Sequence, residues 1–250
     1  MGSNERGPSP LDAQEQIPGD YQFKALHEGP AIQRFWHRNK FQALAAALGD
    51  ERLDLVVDLG CGSGNLLFWS GLSATRALGL DASYGAVQFC VTHRGDRRAS
   101  FAQALGGALP LRDGVADLVL LVEVIEHLTE PDAVLREIHR VLKPGGRLFL
   151  TTPNYQWPSA WPLLEWLADK SGKVAKMRDA QHVQQFSPAS LRHIAAANGF
   201  RVDRIGTMYR WSPLAALVSA AWADRVAASE IARGVRHGCI IHCLASKPGA

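Results

Sequence analysis

Two groups of residues have the types and spacing for chemistry. The first is Asp58-Leu59-Gly60-Cys61-Gly62-Ser63-Gly64, which follows Val56-Val57 and precedes Leu66, Leu67 and Trp69 at helical spacing. A buried strand that turns into a helix over alternating glycines presents backbone N–H groups where no Cβ blocks a ligand. In doubly wound sheets the ligand crevice lies at the carboxyl end of such a strand. The second group is Glu123, Glu126 and His127, just after the apolar run Ala116–Val122. At i, i+3 and i+4 the three share a face on a helical turn. They suit removal of a proton from a hydroxyl or, as two carboxylates and an imidazole, a divalent cation.

The glycine spacing narrows the ligand. A dinucleotide fingerprint needs G-x-G-x-x-G, and here the third glycine, Gly64, comes one place early. No Walker lysine follows it, because the next residues are Asn65-Leu66. Asp81 closes a predicted second strand, Arg76–Leu80, about 20 residues past the glycines. An acid placed there accepts from both hydroxyls of a ribose in the dinucleotide folds.

Acid-x-G-x-G-x-G is followed in order by Leu78-Gly79-Leu80-Asp81, Leu109-Pro110-Leu111-Arg112-Asp113-Gly114 and Glu123-Val124-Ile125-Glu126-His127-Leu128. Leu142-Lys143-Pro144-Gly145-Gly146 then leads to Thr152-Pro153-Asn154. Together these stretches resemble the class I S-adenosylmethionine (SAM) methyltransferases over residues 36–207. The E-x-x-E-H and T-P-N elements are most similar to the ubiquinone-biosynthesis type of O-methyltransferase. The resemblance implies an α/β, Rossmann-like, doubly wound, mostly parallel seven-stranded sheet with helical lid insertions, and SAM as cofactor. It puts the cofactor against Gly60, Cys61, Gly62 and Gly64, with Asp58 steering its ammonium. Asp81 and the adjacent Ala82 then take the ribose, while Val122 and Glu123 lie beside the donor. A cation ahead of the first strand is implied for the cofactor's carboxylate, with Arg38 preferred over Lys40. Where many relatives carry an Asp for the adenine amine, this chain has Leu105. Adenine is then left to the backbone of Ala104–Gly106 and to apolar stacking.

On the acceptor side the expected catalytic residues are His127, Glu126 and His182. In the family an E-H pair here pins its turn to neighbouring backbone; that role with a share in catalysis ranks first, and a metal ranks last, so no metal is assigned. Thr152-Pro153-Asn154-Tyr155 also resembles the tetrapeptide of amino-methylating DNA enzymes. Those enzymes carry it after the fourth strand, whereas here it follows the fifth, and DNA adenine methylation is discounted. The expected reaction is methyl transfer to a small, apolar or aromatic acceptor, with oxygen favoured. The rival is a catalytically silent scaffold or SAM-binding module, and the glycine spacing disfavours a nicotinamide oxidoreductase.

The positioning elements come from periodicity. Residues 1–20 read as a disordered tail and 21–50 as an N-terminal helical cap. Within the cap Ile32, Phe35, Trp36, Phe41, Leu44, Ala45 and Leu48 make an amphipathic helix predicted to cover the sheet's edge. Residues 51–250 form the cofactor-binding domain, with helix Tyr84–His93, a third strand around Ala99–Ala102, helix Asp132–Leu142 and a fifth strand Arg147–Thr151. The last two strands are Val202–Tyr209 and Gly238–Ser246. Lid insertions fall near 155–185, with Trp157, Trp161 and Trp166, and near 210–236. In the second, Leu214, Leu217, Val218, Ala221 and Trp222 make one helical face, read as packing onto the domain or meeting lipid.

The 250 residues are 47% hydrophobic and 20% charged, which suits a globular domain with additions. A net charge of +3 falls short of the basic face that nucleic-acid binding needs. Cysteines at 61, 90, 239 and 243 form no disulfide framework, so a reducing, cytoplasmic setting is expected. If Cys239–Ala245 is a strand, Cys239 and Cys243 share a face roughly 13 Å apart with His242 opposite, which argues against zinc. Met1–Asp20 is polar and rich in Gly and Pro, so no signal peptide is expected there, and Leu214–Ala223 is too short to span a bilayer.

Overall fold

The computed structural model describes residues 17–49, 51–93, 98–156 and 182–249. Strands β1 (Leu53–Leu59), β2 (Ala74–Asp81), β3 (Ala99–Gln103), β4 (Ala116–Val122) and β5 (Leu142–Pro153) run parallel. β7 (Ile240–Ser246) lies antiparallel between β5 and β6 (Arg201–Met208). The order is β3-β2-β1-β4-β5-β7-β6. The chain winds outward from β1 through β3 and then returns to β4 beside β1. The switch point where ligands bind therefore opens between the carboxyl ends of β1 and β4.

Helices cover both faces. Among the described residues they are α1 (Tyr21–His27), α2 (Ala31–Leu48), α3 (Asn65–Trp69), α4 (Tyr84–His93), α5 (Pro131–Val141), α6 (Pro188–Ala197), α7 (Ser212–Ala216) and α8 (Ala220–Arg233). One face of the sheet buries Val57, Val119, Leu121 and Leu150 against Leu135, Ile138 and Leu191 of α5 and α6. The other buries Val56, Leu118, Leu120 and Phe149 against Phe35 and Leu44 of α2 and Ala215, Ala223 and Ile231 of α7 and α8. Cover on both sides explains why β4 is a continuous apolar run rather than an alternating one. Ser187 and Ser190 form a reciprocal capping box that starts α6. Arg140 on α5 holds the β3–β4 connection, bonding Glu137, Asp113 and the carbonyls of Leu109 and Leu111.

Several expectations are corrected. The helix expected to cover the sheet's edge, α2, packs on its face instead, because Phe35, Ala43, Leu44 and Leu48 join the core of the central strands. Within the segment read as tail, Gly19 is seated on the glycine turn, where its carbonyl accepts the Ser63 hydroxyl at 2.7 Å; residues 1–16 lie outside the described residues. β5 begins at Leu142 rather than Arg147, since Leu142 pairs with Ala116 before a bulge realigns the strands. Cys239 and Cys243 do not share a face. Cys239 precedes β7 and joins one core, while Cys243 joins the other. Trp157, Trp161 and Trp166 lie outside the described residues.

The second insertion also differs. It is two helices, broken before Ser219, whose side chain caps α8. The face that packs is Ala215, Ala216, Ala223, Ala227 and Ile231, and the face predicted to pack points to solvent. The turn out of β6 into α7 is fixed by buried Glu230. Its carboxylate accepts the N–H groups of Tyr209, Arg210, Trp211 and Ser212 and the Ser212 hydroxyl. This lets Tyr209 hold a left-handed φ of 66°. Glu230→Ala strands these donors and should cost about 3 kcal/mol or more, read as a lowered denaturant midpoint. A loss under about 1 kcal/mol would show that water replaces the carboxylate.

Candidate active site

Gly60, Gly62 and Gly64 all have positive φ, at 78°, 50° and 74°. A Cβ on Gly60 would strike the Val124 side chain and one on Gly62 would strike Gln22. The turn therefore requires glycine for both backbone conformation and space. Gly60 and Cys61 donate to the Leu80 carbonyl at the end of β2. Gly62 N–H donates to Asp81 Oδ2 at 2.7 Å, and Ser83 N–H donates to Oδ1 at 2.8 Å. The bend and the acid on the next strand are thus joined directly. Asp58 is buried beneath them, and its Oδ2 has no hydrogen-bond partner. Burial, with Asp81 nearby, pushes its carboxyl up to about 8.

The acid–histidine group sits at the ends of β4 and β5. Glu123 takes a left-handed φ of 55°, a strained backbone for a residue with a Cβ. Its side chain accepts the Thr151 hydroxyl at 2.7 Å and lies 3.6 Å from Lys40 Nζ. Glu126 is buried and accepts the Thr152 hydroxyl at 2.9 Å. Burial and the neighbouring Glu123 hold its carboxyl well above the usual range. The Glu126 carbonyl accepts the N–H groups of Val183 and Gln184, which fastens the segment carrying His182 to this turn. The His127 and His182 rings lie 4.9 Å apart, and Tyr155 O–H meets His182 Nδ1 at 2.7 Å. One ligand atom each from Glu126, His127 and His182 fall within 4.8 Å of one another, a spacing that can hold a cation. Val124 joins the two halves of the site: it follows Glu123 and packs where a Gly60 Cβ would sit.

Comparison with known proteins agrees with this arrangement. Residues 32–205 match the model of a methyltransferase domain. The chain belongs to the methyltransferase domain family. It is 29% identical over 143 residues to the ubiquinone biosynthesis O-methyltransferase of Pseudomonas putida, across 53% of this chain and 55% of that protein. The chain thus spans about half the length of the curated relatives it matches. A chain from the complex between the Haloferax volcanii Trm112 methyltransferase activator and a methyltransferase has the same fold (TM-score 0.66, 23% identity, 97% of this chain and 100% of that one). So does the [4+2]-cyclase SpnF (TM-score 0.66, 18% identity, 100% of both chains).

The cofactor of this methyltransferase domain is SAM, and the residues present fit it. The orphaned Asp58 Oδ2 can take a cationic donor, and the three glycines of the turn add no side chain of their own. Asp81 adjoins the turn through Gly62 N–H and is followed by Ala82, whose carbonyl accepts Gln103 Nε2. Leu105 is exposed at the following loop, 56% accessible, beside Gly106. Val122 ends β4, paired with Thr151.

Two expectations do not survive the geometry. Arg38 is not at the strand ends. Its Nη2 donates to both carboxylate oxygens of Asp224 on α8, at 2.8 and 2.7 Å. Lys40, about 200° farther round the helix, is the cation that reaches the site. Glu123, Glu126 and His127 do not share one helical face either. Only Ile125–His127 forms a turn, a single 3₁₀ one, and Glu123 stands outside it. Asn154 Nδ2 donates to Gly238 O, and its Oδ1 accepts Gln156 N–H. Sequence reasoning passed over Thr151, Thr152 and Tyr155. The signal was present in two adjacent hydroxyls, Thr151 and Thr152, closing an apolar strand, the second of them opening the T-P-N stretch.

Asp58 predicts a pH dependence. A carboxyl raised from 3.8 to about 8 binds a proton in the folded state that the unfolded chain has lost. Its contribution to stability is therefore full below the unfolded value, falls as pH rises and levels off above the folded one. An ammonium against Oδ2 favours the ionised form, so cofactor binding should release a proton in this window. Binding enthalpies near pH 6 should then vary with the ionisation heat of the buffer, and Asp58→Asn should remove the variation. No variation in the parent would refute the pairing.

Proposed function

We propose that this chain transfers the methyl group of SAM to an oxygen of a small, apolar aromatic acceptor, in a reducing cytoplasm. The observation that carries the reading is the Val124 contact, which sets the Glu126–His127–His182–Tyr155 group directly beside the glycine turn. When bound, SAM supplies an electrophilic methyl whose displacement needs alignment and exclusion of water more than covalent help. Asp58, the glycine turn and Asp81 hold the donor, and Lys40 meets its carboxylate. His127 takes the proton from the acceptor hydroxyl, while Tyr155 orients His182 opposite it. Glu126 accepts the Thr152 hydroxyl and keeps the His127 turn in place. Four buried, free cysteines support the reducing setting.

A second reading is favoured by the 4.8 Å cluster: Glu126, His127 and His182 hold a divalent cation that polarises the acceptor hydroxyl. A labelled-methyl assay on catechols and simple phenols, with and without chelator, separates the cases. Activity that survives chelation supports the base. Activity lost to chelator and restored by a divalent ion supports the cation. No transfer to any hydroxylated aromatic overturns the O-methylation reading.

A further inference from the structure

The strongest feature outside this site is the surface of α7 and α8. Leu217 and Val218 form a convex knuckle between the two helices, 72% and 76% exposed. Trp211 and Trp222 flank it at 58% and 51%, with Leu214 at 56%. Monomeric proteins seldom leave apolar side chains clustered in this way unless the surface meets a partner. Between the tryptophans lies a hollow of about 530 Å³, whose lining includes Arg225, Val226 and Arg233. Arg210 stacks on Trp211 at 5.3 Å, and Arg236 is also exposed. The segment's two acids do not offset these cations. Asp224 is taken by Arg38 and Asn39, and Glu230 by backbone N–H groups.

We propose that this face seats the protein on an anionic lipid bilayer. Leu217, Val218 and the tryptophans enter the headgroup region while Arg225, Arg233 and their neighbours meet lipid phosphates. The chemistry fits in three ways. Tryptophan favours the membrane–water boundary, where its ring is half apolar and half wet. An apolar wedge ringed by guanidinium groups matches an anionic surface, to which each basic residue adds attraction. The attachment is peripheral, since no helix among the described residues is long and apolar enough to cross a membrane. Glu230 fixes the turn that aims Trp211 outward, so the face is built rather than a frayed end. The segment also leaves the sheet at the active-site end, because Met208 of β6 aligns with Ile240 and Pro153. The inference concerns lipid binding and stands whether or not methyl transfer is confirmed.

The test is co-sedimentation of the full chain with vesicles of phosphatidylcholine alone and of phosphatidylcholine with an equal part of phosphatidylglycerol. Binding is expected to the mixed vesicles only, weakening as salt rises. Arg225→Gln with Arg233→Gln should reduce partitioning about tenfold or more, and Leu217→Ser with Val218→Ser comparably. All four residues are exposed, so melting temperatures should not move. Failure of the parent to bind the mixed vesicles, equal binding to both compositions, or unchanged binding by both double variants would overturn the proposal. A parent dimer in sedimentation velocity that Leu217→Ser with Val218→Ser dissolves, without vesicle binding, would assign the face to a second copy instead.

Discussion

Asp81→Ala should weaken SAM binding on the order of a hundredfold or more and remove the SAM-induced rise in melting temperature. Two losses combine. The cofactor's ribose loses an ionic acceptor, and hydrogen bonds to charged groups contribute about 1.5–3 kcal/mol each. Gly62 and Ser83 also lose the carboxylate that fixes their N–H groups, so the glycine turn is less well formed before the ligand arrives. At about 1.4 kcal/mol per tenfold, two such bonds account for the expected loss. Asp81→Asn keeps one acceptor oxygen and should fall between parent and alanine. Titration calorimetry with SAM and with its demethylated product reads the effect for donor and product alike. Unchanged affinity in Asp81→Ala would remove the ribose assignment.

His127→Ala should lower kcat by about 10²–10⁴-fold, the usual worth of a positioned base, while leaving SAM affinity nearly unchanged. The split follows from placement: His127 faces His182 and Glu126, whereas Asp58, the glycines and Asp81 lie across Val124. Glu126→Gln sharpens the result. Glutamine keeps the size of Glu126 and an oxygen to accept the Thr152 hydroxyl, but it cannot ionise. If His127 is the base, Glu126→Gln should retain most activity. If the cluster holds a cation, Glu126 must ionise to bind it, and the same change should remove activity together with metal. Full turnover in His127→Ala would take this histidine out of the chemistry under either reading.

Much of the scaffold was legible because local and global signals agree. Helix Tyr84–His93 and strand Ala116–Val122 appear with the bounds their periodicity predicts. Misreadings cluster where two structures satisfy one local pattern. The apolar stripe of residues 214–222 reads as a packing face, yet the smaller alanines on the other side of α8 fit against α2. Close helix packing selects small side chains, and hydrophobicity alone does not register that. Arg38 and Lys40 are equally good cations in sequence. The helix rotation that sends one to Asp224 and the other to Glu123 depends on Phe35, Leu44 and Leu48 facing the sheet.

By itself the sequence determined the ligand-bearing bend, because alternating glycines after a buried strand admit few other conformations. It also determined the acid on the neighbouring strand and the family to which the chain belongs. Only the tertiary structure decided which side chains meet across elements: Lys40 with Glu123, Thr152 with Glu126, His182 with His127. Backbone conformation follows from residues adjacent in the chain, whereas these pairs are set by the register of β4 against β5 and the rotation of α2. Both are fixed by the buried core as a whole rather than by any short stretch.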